Sequence, residues 1–397
     1  MKRVNGWFGV AFLALILVGA GCAGQQPVSG RQEGTNAMIK KDTSPIVVGG
    51  IAPLTGEAAA YGVPDQNAKM LAVEEINAAG GINGRELKIV WEDGKCNGTD
   101  ATTAVQKLLN VDKVKVILGG SCSGETLAAA QLTQSARALL FSGLSSSPDL
   151  TTAGDLVFRT YPSDAFAGKM VATYASKELG LKRAAIISEN TDYAQALRRV
   201  FKEAFTEEGN EVVADEAFNT GETDFRTLVL KVKEQNPSVV YVAVQTLTPA
   251  EFILKQLGES GLKVQIIGSD SMLDRDFIKN HAELFEGIVS SELSLDESTS
   301  KTGGFVNAYT TKYAHAPEYP GYLAAAYDSV YLIAEAMKAT GSTDPEAIAT
   351  YFNDTVKDWQ GALSTFNFDD NGDAVLNLNM RKIVGGEITD LGPYAIE

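Results

Sequence analysis

Short apolar segments rich in β-branched residues alternate with longer segments of helical periodicity over the first part of the chain. Apolar runs of this length are typical of buried parallel strands, and the segments between them predict crossover helices. The first series has predicted strands at 46–51, 87–91, 114–118 and 138–141, with helices at 63–76, 101–109 and 127–132. This order predicts an α/β fold with a doubly wound parallel sheet.

A second alternating series begins after Phe158-Arg159-Thr160. Its predicted strands are 184–188, 211–217, 239–244, 264–267 and 287–291, and its predicted helices are 166–179, 193–205, 225–232 and 249–257. Two such series in a chain of 397 residues predict two lobes with a cleft between them. The remaining chain predicts helices at 305–313, 322–339 and 345–352, and a hairpin-like end over 366–383.

The turn Gly119-Gly120-Ser121-Cys122-Ser123-Gly124 joins the third predicted strand to the next helix. Open α/β sheets bind ligands at the carboxyl ends of their strands. Small residues allow a ligand to approach the backbone, free N–H groups at a helix start favour an anion, and Ser121 or Ser123 can add a hydrogen bond. Turns rich in Gly and Ser are also common in α/β proteins, so a purely structural role is the alternative interpretation.

The N-terminus resembles a bacterial lipoprotein signal. Lys2 and Arg3 precede an apolar stretch over 7–18, and Gly19-Ala20-Gly21-Cys22 provides small residues before a cysteine. We therefore predict a signal peptide over 1–21, lipidation at Cys22, and a flexible tether over 22–45 that is poor in large apolar residues. An ordinary secretory signal is the alternative, and either signal exports the protein.

The chain has three cysteines. With Cys22 assigned to the anchor, export to an oxidising compartment favours a disulfide between Cys96 and Cys122. In the chain-entropy model, this link would contribute about 3 kcal/mol to stability.

Composition and motifs argue against several classes of function. A formal net charge of −16 disfavours nucleic acid and anionic membrane surfaces as partners. The two histidines, His281 and His315, lie in no metal-ligand spacing, and the chain has no phosphate-binding loop motif and no serine elbow. The acidic loop 369–373 lacks the final glutamate of a calcium loop. We therefore expect no cofactor, no metal and no enzyme.

Several motifs together resemble the leucine/isoleucine/valine-binding family of type I periplasmic binding proteins, which are substrate-binding lipoproteins of branched-chain amino acid ABC transporters. The resemblance covers the chain from Ile46 onward. It is carried by these segments: Pro53-Leu54-Thr55-Gly56, Tyr61-Gly62, 76–84, Trp91-Glu92-Asp93 with Cys96, Cys122-Ser123, Ser145-Ser146-Ser147-Pro148, Tyr193 and 368–373.

The resemblance implies a Venus-flytrap fold, in which two doubly wound lobes with parallel-sheet cores are joined by a three-segment hinge. Carried over, one lobe would comprise 46–160 plus 292–361, and the other 161–291 plus 362–397. The hinge crossings would fall near Thr160-Tyr161, near Ser291-Glu292 and after Gly361.

The resemblance also implies ligand-binding roles for particular residues. The Ser123 hydroxyl and the Ser146 N–H would bind an amino acid's α-carboxylate, while the carbonyl of Leu144, in the loop Leu144-Ser145-Ser146, and the Ser146 hydroxyl would face its ammonium. Asp270 would bind the ammonium from the other lobe, with Tyr193 covering the ligand. Tyr61 would lie at the mouth of the cleft. The alternatives are surface or interface tyrosines, and a cap or turn role for Asp270.

The segment Gln245-Thr246-Leu247-Thr248 differs from the Gly and Tyr that branched-chain binders commonly carry there. A polar Gln245 or Thr246 would suit a more polar amino acid, with a solvent-facing loop as the alternative. The resemblance thus implies a monomeric receptor held at the membrane by lipid on Cys22. It would present an amino acid to an ABC permease and ATPase complex. A ligand-sensing module and, more remotely, an enzyme are the alternatives.

Overall fold

Two parallel sheets, each flanked by helices, form the protein in a computed structural model that describes residues 42–293 and 295–394. The first sheet has the order β2-β1-β3-β4-β5, and all its strands are parallel. Its elements are β1 (Ile46–Ala52), α1 (Ala59–Ala78), β2 (Leu87–Asp93), α2 (Gly98–Asn110), β3 (Val116–Leu118), α3 (Ser123–Ser135), β4 (Leu139–Ser142) and β5 (Val157–Arg159). The predicted signal peptide, Cys22 and the tether up to residue 41 lie outside the described residues.

The second sheet repeats this arrangement. Its elements are α4 (Asp164–Lys177), β6 (Arg183–Glu189), α5 (Asp192–Glu207), β7 (Glu211–Phe218), α6 (Arg226–Glu234), β8 (Val239–Ala243), α7 (Leu247–Glu259), β9 (Gln265–Gly268), α8 (Arg275–Asn280), α9 (Ala282–Phe285) and β10 (Val289–Leu293). The parallel strands have the order β7-β6-β8-β9-β10. Each sheet therefore reverses its winding between its first and third strands, where such sheets bind ligands.

The last part of the described chain contributes helices to the first lobe and two strands to the second sheet. It consists of α10 (Ser300–Tyr313), α11 (Pro320–Thr340), α12 (Pro345–Thr355), β11 (Trp359–Gln360), β12 (Thr365–Phe368), β13 (Ala374–Val375), β14 (Leu378–Val384) and β15 (Glu387–Pro393). Helix α11 packs on α1, and α12 packs on β4. Strands β14 and β15 add an antiparallel hairpin to the edge of the second sheet beside β10.

Buried strands and capped helices explain why the local sequence adopts these elements. Every residue of β3, β4 and β8 is buried, as their continuous apolar sequence requires. The side chain of Asn97 accepts hydrogen bonds from Thr99 N and Asp100 N at the start of α2, and Thr191 caps α5 through Ala194 N. Helix α11 ends at Gly341, whose φ of 64° favours glycine.

The predicted doubly wound α/β fold is confirmed, but several local predictions were incomplete. The hairpin-like end predicted over 366–383 is only partly correct, because β12 and β13 pair antiparallel within a small sheet, β11-β12-β13, while the rest of the segment is the first strand of a separate β14–β15 hairpin. In the small sheet, Phe366 and Phe368 form an aromatic cluster with three phenylalanines of the first lobe: Phe141, Phe158 and Phe352. Helices α8 and α9 were not predicted between β9 and β10, because each is six residues or shorter.

Candidate functional site

A small cavity lies where the carboxyl ends of the two sheets face each other. Its empty space, including the opening to solvent, is about 380 Å³, and it receives side chains from both lobes. The lining residues are Tyr61, Ser121, Cys122, Ser123, Leu144, Ser145, Ser146, Tyr193, Gln245, Ser271 and Tyr322. The structure thus brings together six of the seven residues predicted to bind the ligand, and the seventh, Asp270, precedes the lining residue Ser271.

Two turns of the first sheet form what we call the first wall, comprising 121–123 after β3 and 144–146 after β4. The backbone passes very close to β1 at Gly119, where a Cβ atom would lie 2.1 Å from the Ile51 carbonyl oxygen. Gly119 also has a φ of 131°, so glycine is required there on both grounds.

The buried carboxylate of Glu125 fixes the turn after β3. It accepts hydrogen bonds from Ser121 N at 3.1 Å, Cys122 N at 3.0 Å and Cys96 N at 2.9 Å. The expectation that the free N–H groups of this turn attract an anion is therefore wrong for Ser121 and Cys122. Burial raises the pKa of Glu125 to about 7, although these hydrogen bonds oppose the shift.

The predicted disulfide is present beside the same turn. Cys96 and Cys122 are joined, with their Cα atoms 5.2 Å apart. Cys96 N also donates to Glu125, so the loop after β2 and the turn after β3 are held together by a covalent bond and a hydrogen bond.

A buried ion pair on α1 contacts the first wall through the Ser121 hydroxyl. Lys69 and Asp65 are fully buried on α1, with Nζ 2.8 Å from the carboxylate. The Ser121 hydroxyl donates to the same carboxylate at 2.7 Å. The Asp65 charge is thus neutralised within the first lobe before any ligand binds.

The three hydroxyls of the predicted binding serines have different partners. Ser123 Oγ accepts from Ser147 N at 3.2 Å, so its hydrogen remains able to donate to a ligand. Ser146 Oγ donates to Asp164 at 2.7 Å and keeps acceptor capacity. Ser145 Oγ lies 3.0 Å from the Gly120 carbonyl and 2.6 Å from Thr126 Oγ1, so it links the two turns.

The second wall comprises Tyr193, Gln245 and Ser271 of the second lobe, with Asp270 directly behind it. The Asp270 carboxylate accepts from the hydroxyls of Tyr161 at 2.9 Å and Tyr322 at 2.7 Å, from the Tyr193 hydroxyl, and from Ser271 N at 3.1 Å. Four donors occupy the acceptor positions of one carboxylate. A ligand ammonium would therefore either displace a tyrosine or bind to the lone pairs of the tyrosyl oxygens.

A second buried carboxyl lies close to Asp270. Burial, together with the negative charge of Asp270, raises the pKa of Asp164 well above its ordinary value. Arg159 lowers it less, because this guanidinium makes a two-bond pair with Asp373, at 2.6 Å for both Nε and Nη2. The second lobe thus places two buried acids, Asp164 and Asp270, beside the cavity, and no cation among the described residues forms an ion pair with either.

Two tyrosine hydroxyls form hydrogen bonds between the lobes. The Tyr61 hydroxyl on α1 donates to the Ser271 carbonyl at 3.2 Å, and Tyr322 on α11 donates to Asp270. At the cleft mouth, a Cβ atom on Gly124 would lie 2.6 Å from the Asp192 carboxylate. The two walls are therefore in contact in this structure.

Sequence reasoning missed Tyr161, Tyr322, Asp164 and Ser271. Asp164 follows the helix cap Ser163, and Tyr322 lies two residues into the apolar helix α11, so neither carries a local signal that distinguishes it from ordinary helix residues. Gln245 was identified as a departure from the branched-chain binders, and it does line the cavity.

Several known proteins are similar to this chain in sequence, and structures of some have been solved. A family model for periplasmic binding proteins matches residues 45–387. The leucine-, isoleucine-, valine-, threonine- and alanine-binding protein of Pseudomonas aeruginosa is 26% identical over 333 residues, covering 84% of this chain and 87% of that protein.

Two solved structures share the fold over nearly their whole length. The leucine-binding protein of Thermotoga maritima superposes with a TM-score of 0.80 at 25% identity, covering 88% of this chain and 98% of that one. The branched-chain amino acid transporter substrate-binding protein of Streptococcus pneumoniae, solved with isoleucine, gives a TM-score of 0.78 at 30% identity, covering 88% and 100%.

Fold and site together define a two-lobed extracytoplasmic solute-binding protein, whose ligand site is the interlobe cavity. Within that class, the chain belongs to the periplasmic binding protein family, in the group of leucine/isoleucine/valine-binding proteins. Among the residues that the structure describes, no helix has the length and apolar character needed to cross a bilayer.

Proposed function

We propose that this protein is the substrate-binding receptor of an ABC importer and binds one amino acid in the interlobe cavity. The observation that carries the proposal is the composition of that cavity. Hydroxyl and main-chain groups come from one lobe, and a buried carboxylate surrounded by tyrosines comes from the other. The similar proteins of Pseudomonas aeruginosa and Streptococcus pneumoniae are solute-binding proteins whose names specify amino acids.

The first wall suits the carboxylate of the ligand. The Ser123 hydroxyl has a free hydrogen and Ser146 lines the same space, so this hydroxyl and the Ser146 N–H would donate to a carboxylate without a counter-ion. The ammonium would lie against the Leu144 carbonyl and the Ser146 oxygen, whose own proton is directed to Asp164.

The second wall suits the ammonium. Asp270 would act through the tyrosyl oxygens of Tyr193 and Tyr322, and Tyr193 would cover the ligand. A ligand held by both walls binds the closed form better than the open form, and only such differential affinity can shift the equilibrium towards closure. The closed form is then the one presented to the permease.

The decisive experiment is a thermal-shift and calorimetry screen of the protein, unfolded and refolded to remove carried-over solute, against the twenty amino acids. One or a few of them should raise the melting temperature strongly, since a ligand at a thousand times its dissociation constant stabilises by about 4 kcal/mol. NMR of the incubated ligand should show it unchanged, as expected for a receptor that is not an enzyme. Absence of binding by every amino acid, or turnover of a bound one, would contradict the proposal.

We also propose that the exported protein is lipidated at Cys22 after removal of residues 1–21, and that it acts as a monomer. Mass spectrometry of the mature N-terminus should find diacylglycerol on Cys22, and Cys22→Ala should release the protein from the membrane fraction. An unmodified N-terminus would indicate an ordinary secretory signal.

For the lobe boundaries we propose 46–160 with 292–375, and 161–291 with 376–397. The third boundary lies later than the sequence alone suggested, because Phe366 and Phe368 pack on the first lobe and β14 is the next strand of the second sheet. Limited proteolysis of the open form should cut near residues 376–377 rather than near 361.

A further inference from the structure

A second chamber adjoins the inner cavity, and Gln245 lines both. It lies between the lobes and encloses about 1000 Å³ including its opening to solvent. We call it the outer chamber. Its chemistry comes from Glu57 and Lys95 of the first lobe, and from Glu189, Asp192, Gln245 and Thr246 of the second.

Glu189 ends β6, at the point where the second sheet reverses its winding. Glu189 is fully buried, and its carboxylate accepts hydrogen bonds from the Thr220 hydroxyl at 2.6 Å and from Gln245 N at 2.7 Å. Within the described part of the chain, no lysine, arginine or histidine forms an ion pair with it. A buried carboxylate without a cation is costly for a protein to maintain.

The other charges of the chamber do not neutralise Glu189. Glu57 and Asp192 are carboxylates that make no ion pair within ranges 42–293 and 295–394, and Lys95 is paired with Asp100 at 3.1 Å. Burial raises the pKa of Glu189, and the negative charge of Glu57 adds to the shift, which its hydrogen bonds oppose. The chamber therefore has an excess of negative charge.

Two uncharged side chains of the chamber have free hydrogen-bonding capacity. Thr246 is only 5% exposed, yet its hydroxyl has no hydrogen-bond partner among the described residues. Next to it, the Gln245 carboxamide makes no hydrogen bond with the described chain, although it lines both spaces. A buried hydroxyl normally has a hydrogen-bond partner, so the state of Thr246 points to a missing polar group, and the half-buried Gln245 carboxamide beside it can add a hydrogen bond to the same group.

We propose that the outer chamber receives the positively charged end of the ligand's side chain, so that the ligand is a basic amino acid. Its head would bind between the two walls, its methylene chain would pass Gln245, and its guanidinium or ammonium would pair with Glu189 and Thr246. This proposal rests on the proposed function. A branched aliphatic side chain would instead leave Glu189 without a cation and the Thr246 hydroxyl without a hydrogen-bond partner in the closed cleft.

Calorimetry with four ligands tests this directly: arginine, lysine, leucine and citrulline, which has nearly the shape of arginine without its charge. Arginine or lysine should bind at least about tenfold more tightly than citrulline and leucine, the scale of a charge-assisted hydrogen bond in a desolvated site. Glu189→Gln should weaken the basic ligand about tenfold to a hundredfold while changing citrulline affinity much less. Glu207 is exposed at the C-terminal end of α5, and Glu207→Gln is the matched control, which should change neither the affinity for the basic ligand nor that for citrulline.

The ratio of arginine to citrulline affinity within one variant keeps the test valid even if Glu189→Gln loses some stability. Leucine binding with no basic amino acid bound would overturn this inference and leave the proposed function intact. An unchanged ratio in Glu189→Gln would also overturn it. Failure of all amino acids to bind would instead overturn the proposed function itself.

Discussion

The buried carboxylates behind the two walls of the cleft have different kinds of partner. Behind the first wall, Asp65 is paired with Lys69, and Glu125 accepts three main-chain hydrogen bonds. Behind the second wall, Asp270 has only hydroxyl donors and one N–H, and Glu189 in the adjoining chamber has no cation among the described residues. The first wall is thus electrostatically complete without a ligand, whereas the second is not.

This difference suggests separate roles. A wall whose groups are already satisfied keeps its geometry when the cleft opens, because no group gains by moving. A wall with surplus negative charge gains most when a cation arrives. We therefore expect the first wall to be the preformed half of the site and the second wall to supply the ligand-dependent part of closure. Four measurements test this difference between the two walls.

The largest effect should come from removing the covalent link of the first wall. Cys96→Ser with Cys122→Ser should lower the free energy of unfolding by about 3 kcal/mol, since a disulfide across 26 residues restricts the unfolded chain. Denaturant titration of the apo protein measures it. Reduction of the wild type should give a similar loss, and a loss below about 1 kcal/mol would mean that Glu125 alone holds the turn.

Asp270→Asn should have the next largest effect, on binding rather than folding. The amide keeps the shape and can still bond the surrounding tyrosines, but it removes the charge that faces the ammonium, so affinity should fall about a hundredfold. Calorimetry checks this, with exposed Asp276→Asn on α8 as the control. Wild-type affinity in Asp270→Asn would place the ammonium elsewhere.

The pH dependence of stability should reveal Glu125. Its pKa in the folded protein is about 7, against an ordinary value of 4.5, so the folded state keeps a proton that the unfolded chain releases. Stability should therefore fall as pH rises from 4.5 to 7, with Glu125 contributing about 2.5 kcal/mol.

Glu125→Gln should be less stable overall but should lack this part of the slope. Unfolding at several pH values, with Glu207→Gln as the control, measures the difference. A slope in Glu125→Gln equal to that of the wild type would assign the pH dependence to other buried acids, such as Asp328 and Asp164, whose pKa values are also raised by burial.

The smallest effect should follow Ser123→Ala. Loss of one hydroxyl donor to the ligand carboxylate should weaken binding about tenfold, because main-chain donors remain. Ser135→Ala, at the far end of α3, is the matched control. If Ser123→Ala weakened binding more than Asp270→Asn, the first wall would carry most of the affinity and the comparison would be reversed.

The sequence was sufficient for the order of elements and for much of the first wall. Strand and helix periodicity is local, and residues in a turn after a buried strand lie at the sheet edge, so Ser121 and Ser123 could be identified from the sequence, whereas Ser146 came from the family resemblance. The second wall was predicted less completely. Tyr193 and Asp270 were predicted from the family resemblance. Nothing in the sequence indicated that three tyrosine hydroxyls would donate hydrogen bonds to the Asp270 carboxylate, or that Asp164 would lie beside it.

The amino-acid sequence was enough to predict the pair of wound sheets, the pairing of Cys96 with Cys122, and the polar residues at the strand ends, because each follows from short-range periodicity or from a count. Which buried groups satisfy one another could be seen only in the folded protein. Tyr161 and Tyr322 donate to Asp270 from 109 and 52 residues away, and no cation among the described residues reaches Glu189 where the lobes meet. Such contacts depend on how separate segments cross in space, which no local pattern encodes.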